Sequence, residues 1–159
     1  MSESAGNASQ PHFEIQKIYL RDASLECPNS PGVFLEQKWQ PEANLQLSSK
    51  SEKLDDENYE VVLTVTLTVK SGENTAYLVE VHQSGIFLIK DFPEDQMDPL
   101  LGVGCPNVLF PFARETVAEL VQKAGFPQHL LPPVNFEAIY AQQLQEAEAR
   151  SAGPQKAPH

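Results

Sequence analysis

Apolar and polar side chains alternate along the first arm of residues 59–89, YEVVLTVTLTVKSGENTAYLVEVHQSGIFLI. In the first half Tyr59, Val61, Leu63, Val65, Leu67 and Val69 fall on one side of an extended chain. Glu60, Thr64, Thr66, Thr68 and Lys70 fall on the other, with Val62 the only intruder. A period of two predicts an antiparallel strand with one dry and one wet face. SGEN at 71–74 predicts the turn, and the return arm keeps Tyr77, Val79, Val81, Phe87 and Ile89 on the dry parity. Leu78, Glu80, His82 and Ser84 take the wet parity. The wet side is therefore a threonine-rich plane carrying a carboxylate and an isolated leucine, which suits docking of another protein better than enclosing a substrate.

The remaining segments are less regular. Residues 13–20 predict a first strand, and 23–32, with Pro28, Pro31 and Gly32, a connection. Residues 33–47 predict a second extended segment, broken at Pro41, which points to an edge, a bulge or a crossover. A polar loop is expected over 48–58, and a long connection over 90–106 with one helical turn near Gln96. Ala113, Val117, Leu120, Val121 and Ala124 recur at helical spacing until Gly125 and Pro127 stop them. Val108, Leu109, Phe110 and Phe112 make the start of this helix apolar nearly all round. Such a helix must be covered on several sides, and one sheet covers only one of them, so a second copy of the chain is expected to cover the rest. A last helix begins at the N-cap Asn135, with Val134 and Ile139 at staple positions and Glu137 in its first turn. Strands followed by helices predict an α+β fold: a four-stranded antiparallel sheet with helices packed on one face. A single domain is expected over 12–147, between disordered tails at 1–11 and 148–159.

Charge narrows the function. The 159 residues hold 22 acidic and 11 basic side chains, a net charge of −11. That argues against nucleic acid as a partner and for a basic one. No run approaches the ~18 apolar residues of a membrane span, and the N-terminus lacks the pattern of a secretory signal, so a cytosolic protein is expected. Cys27 and Cys105, far apart, are expected to be reduced and structural.

Chemistry is sparse. The chain has no P-loop, HExxH or GxSxG, and Gly102-Val103-Gly104 reads as a turn. Glu80 and His82 make at most half a metal site, Asp55-Asp56-Glu57 lacks calcium-loop spacing, and Cys105 lacks a local signature of a nucleophile. No catalytic residue, metal or cofactor is expected. What remains is apolar surface: Trp39 on the irregular segment, and Phe136 and Tyr140 on the last helix. These are either ordinary core or a groove that accepts apolar side chains.

CPNVLFPFARE at 105–115, EVHQSGIF at 80–87, PPVNFEAIY at 132–140, IYLRDASLECPN at 18–29 and WQPE at 39–42 together resemble the bacterial protein-export chaperone family SecB. The resemblance is collinear and spans about residues 12–146. It implies a homotetramer, a dimer of dimers, that binds unfolded preproteins in the cytosol without nucleotide and delivers them to the motor ATPase SecA. Asp22, Glu26, Leu78 and Glu80 match the family's SecA-docking surface. Val79, Val81 and Gln83 match its subunit-assembly face, with Val79 where some relatives carry Cys. Trp39, Phe136, Tyr140 and Leu144 are expected in the groove for preproteins. Two alternatives stay open: a related chaperone dedicated to another partner such as an antitoxin, and a small-ligand carrier using the groove.

Overall fold

The computed structural model describes residues 10–152; the expected tail at 1–11 lies almost wholly outside that range, and the tail expected at 148–159 lies outside it from 153 on. Strand β1 spans His12–Glu26, β2 Pro41–Lys53, β3 Asn58–Ser71 and β4 Asn74–Lys90. They form one antiparallel sheet in the order β1-β4-β3-β2. The hairpin forms as its alternation predicts: Val61, Leu63, Val65, Leu67, Val79, Val81 and Phe87 are fully buried, while their neighbours on the other parity are partly exposed. Gly72, at φ +63, supplies the left-handed position that closes the turn.

Two strands are longer than their composition suggests. β1 continues through Glu26, into residues expected to be a connection. β2 takes in 48–53 of the expected polar loop, pairing Ser48 with Thr64 and Lys53 with Tyr59. An edge strand beside a wet sheet face needs few apolar residues, so SSKSEK pairs without advertising itself. Pro41 is the first residue of β2, an edge position where a missing N–H costs no ladder bond.

Helix α1 (Glu94–Pro99) leads through a π-helical stretch, Leu100–Gly104, into α2 (Cys105–Lys123). The expected connection over 90–106 is thus largely helical. α2 lies across the dry face of β3 and β4, burying Leu109, Ala113, Val117 and Val121 there. It ends in a glycine cap of the Schellman type: Gly125, at φ +91, donates to the Gln122 carbonyl (3.1 Å) and Phe126 to that of Val121 (3.3 Å). α3 (Phe136–Ser151) starts at Asn135, whose Oδ1 accepts from the Ala138 amide at 3.0 Å. It runs through Ser151, beyond the limit of 147 expected for the domain. Among the described residues no helix is long and apolar enough to cross a membrane.

Candidate functional site

Directly opposed residues of an antiparallel pair share a face. In β1 and β4, Asp22 is opposite His82, Ser24 opposite Glu80 and Glu26 opposite Leu78. In β3 and β4, Thr64 is opposite His82, Thr66 opposite Glu80 and Thr68 opposite Leu78. Two strands, β1 and β4, therefore bring the four expected docking residues, Asp22, Glu26, Leu78 and Glu80, onto one wet plane, beside the threonines of β3. Their shared even numbering does not cause this. Upstream in β1 it is odd-numbered Tyr19 that stands opposite Ser84, and Leu20 stands opposite dry-side Gln83. A register shift between Leu20 and Asp22 absorbs Arg21 as an extra residue and turns Asp22, Ser24 and Glu26 to the wet side.

The plane is hydrogen-bonded from strand to strand. Thr66 donates its hydroxyl to Glu80 Oε1 at 3.0 Å, and Glu80 Oε2 lies 3.3 Å from His82 Nε2. The other ring nitrogen, Nδ1, is 3.2 Å from Thr64 Oγ1. The His82 hydrogen bond first, and that of Thr66 second, hold the Glu80 carboxyl below its usual range. Nearby, Arg21 donates to Glu60 at 2.9 Å, and the Tyr19 phenol donates to the same carboxylate. Burial and then Glu60 push that phenol up. Arg21, Lys50, Glu52, Glu60, Thr64 and His82 line a shallow cavity of about 440 Å³ beside the plane. Among the described residues, no lysine or arginine forms an ion pair with Asp22, Glu26 or Glu80. Their negative charge therefore faces outward without a described lysine or arginine against it.

The opposite face of β4 is closed. Val79 and Val81 are completely buried beneath the chain's own α2, and Gln83, 4% exposed, donates to the Tyr19 carbonyl at 3.0 Å. The positions expected to serve assembly are thus covered by the chain's own α2 and β1. Apolar surface does lie on those two elements: Phe112 of α2 and Ile15 and Leu20 of β1 are all more than two-fifths exposed.

The expected groove residues fall into two places. Trp39 stacks on Phe126 (centroids 5.5 Å), which also meets Phe34 at 5.0 Å and Tyr77 at 4.9 Å. Trp39 and Phe34 remain 39% and 48% exposed, so this is an open aromatic surface rather than closed core. Tyr140 lies elsewhere, flat on Gly102, where an added Cβ would come within 2.7 Å of the ring. With Phe92, Pro99, Leu100, Val103 and Glu137 it lines an apolar cavity of about 460 Å³. Phe136 is buried edge-on against Phe110 (5.7 Å), so it anchors α3 to α2, while Leu144 on the same helix is exposed. Phe34 and Phe126 were missed. The only local signal was an aromatic directly after the stop glycine, the place where a Schellman cap makes its apolar contact.

The other chemistry stays silent. Burial pushes the Cys105 thiol up to about 12, which suits a structural thiol and not a nucleophile. Asp55 accepts from the amides of Glu57 and Asn58 at 2.9 and 2.8 Å, closing its own loop. Among the described residues no three His, Cys, Asp or Glu side chains converge as metal ligands.

The profile of the family described as preprotein translocase subunit SecB matches residues 6–147. The protein-export protein SecB of Thioalkalivibrio sulfidiphilus is 58% identical over 92% of this chain and 87% of its own. That of Nitrosococcus oceani is 53% identical over 94% of this chain and 92% of its own. Among solved structures, a SecB-like chaperone of Mycobacterium tuberculosis in complex with a peptide from the HigA1 antitoxin aligns with a TM-score of 0.65. It covers 77% of this chain and 90% of that one at 15% identity, a likeness of fold.

Proposed function

The chain belongs to the SecB family of protein-export chaperones, and from that premise we propose how its two surfaces divide the work. It is a holdase and not an enzyme. Unfolded preproteins lie along the apolar surfaces, Trp39 with Phe34 and Phe126 at one place and Tyr140 with Leu144 at another. Phe136 holds the helix that carries the second. Burial of apolar area drives the binding at about 25 cal/mol per Å², without selecting a sequence. Several such surfaces on one assembly raise the effective concentration of the next client segment.

The assembly is a homotetramer, a dimer of dimers, working in the cytosol. Exposed Phe112, Ile15 and Leu20 support it, because apolar surface of this kind is ordinarily covered by a partner. Val79, Val81 and Gln83 shape it from beneath, by setting how α2 and β1 lie.

SecA docks on the wet plane through Asp22, Glu26, Leu78 and Glu80. The observation that carries this reading is the convergence around one leucine, on a hydrogen-bonded sheet face, of three carboxylates that have no lysine or arginine partner among the described residues. They contribute on-rate and salt-sensitive affinity toward a basic segment. Glu80→Lys is therefore expected to weaken SecA binding about tenfold or more at low salt, leaving the thermal midpoint and preprotein binding unchanged. Unaltered SecA affinity in this variant would remove the site assignment.

A further inference from the structure

On that docking reading, we propose that His82 is a positioning residue for Glu80 and makes the capture of a cationic partner sensitive to pH. A glutamate on an exposed strand face has three rotatable bonds, yet here both carboxylate oxygens are engaged, one by Thr66 and one by the ring of His82. The ring is itself tethered through Nδ1 to Thr64. A hydroxyl can donate or accept, so the same arrangement serves two protonation states. In the neutral ring Thr64 donates to Nδ1, and Nε2–H donates to Glu80. In the imidazolium both nitrogens donate, to Thr64 and to Glu80. The geometry is unchanged between the two states, and the charge offered to a partner is not.

The surroundings make that one charge count. Asp22 stands directly across from His82 on β1, and Glu80 two residues away on β4. Arg21 of β1, Glu60 of β3, and Lys50 and Glu52 of β2 line the cavity next to the ring. Within that set Arg21 already pairs with Glu60. A basic segment arriving over the plane thus meets the two carboxylates, Asp22 and Glu80, with His82 between them. Protonation of the ring takes the charge of this trio from two negative to one. Imidazole is the side chain whose ordinary ionisation falls between pH 5 and 8.

The test titrates full-length SecA at low salt, at about pH 7.5 and about pH 5.8, spanning the imidazole range. It uses the wild type, His82→Gln, His82→Ala and Glu80→Gln. Wild-type affinity is expected to fall about fivefold at the lower pH, the scale of one exposed charge contact. His82→Gln keeps a donor toward Glu80 but cannot titrate, so its change should stay within about twofold. His82→Ala loses the positioning contact and should bind more weakly than His82→Gln at the higher pH. A pH response in His82→Gln equal to that of the wild type would overturn the proposal. If Glu80→Gln binds SecA like the wild type at both pH values, the docking reading falls too. If Glu80→Gln is weakened but the His82 variants are not, only the role of His82 falls.

Discussion

The two faces of β4 differ by one step along the chain and by almost everything else. On one, Val79, Val81 and Gln83 lie sealed beneath α2, and their contacts decide whether the protomer folds. On the other, Leu78, Glu80 and His82 lie partly open, with Glu80 and His82 hydrogen-bonded to each other and to threonines of β3. A side chain on the first face is judged by volume and dryness, and one on the second by what it offers a partner. Because the side-chain period of a strand is two, the division survives only while the register holds.

The strongest way to break the contrast is to put the wet face's chemistry on the dry one. Val81→Asp buries a carboxylate without a partner among Val65, Leu109 and their neighbours. The expected cost is about 3–5 kcal/mol, a large part of a domain's stability. Urea denaturation should show the loss, against almost none for Glu80→Lys one residue away. Similar midpoints for the two variants would mean that α2 does not seal this face.

That contrast was legible in the sequence where a single strand carried it, and lost where the signal depended on other strands. The hairpin declares itself because Val61 to Val69 alternate with polar residues inside one segment. Asp22 and Glu26 were matched to the docking surface by motif resemblance, yet a register shift at Arg21 is what turns them to the wet side. An extra residue in a strand leaves no mark in a hydrophobicity pattern. Residues 48–53 were read as loop for a related reason: at an edge, backbone pairing to β3 outweighs composition. The aromatic cluster was out of reach because Phe34, Trp39, Tyr77 and Phe126 come from four separated segments and meet only in the fold. Conversely, the cap at Asn135 was readable because its bond spans only three residues.

Deleting Arg21 tests the register shift directly. Without the extra residue, Leu20 and Asp22 become neighbours that still face Gln83 and His82, so Asp22, Ser24 and Glu26 keep the wet side. β1 is expected to close without its bulge, losing only the ion pair of Arg21 with Glu60, and SecA affinity should be retained. Arg21→Ala is the control. It keeps the register and loses only a partly exposed ion pair with Glu60, a change of about 0–1 kcal/mol. Loss of SecA affinity on deletion but not in Arg21→Ala would mean that the extra residue of β1 is not Arg21.

The finest test exchanges one pair of side chains between the faces of β3. Val65 is fully buried opposite Val81, and Thr66, the next residue, donates to Glu80 opposite it. Valine and threonine have the same branched shape and similar strand preference, so swapping them changes little except one hydroxyl. In Val65→Thr that hydroxyl enters an apolar layer, and stability should fall by about 1–3 kcal/mol. In Thr66→Val a solvent-accessible hydrogen bond is lost, and stability should move by no more than about 0.5 kcal/mol. The second change should instead be visible in Glu80. Its carboxyl is held low first by His82 and then by Thr66, so removing the Thr66 donor should raise its titration midpoint, read by carbon-13 NMR of the side chain. The sign follows from which form the hydroxyl serves: it donates to the charged carboxylate, and without it the proton binds more readily. A shift in the opposite direction, or a stability loss in Thr66→Val as large as in Val65→Thr, would mean that the two faces of this sheet are not as distinct as their burial makes them.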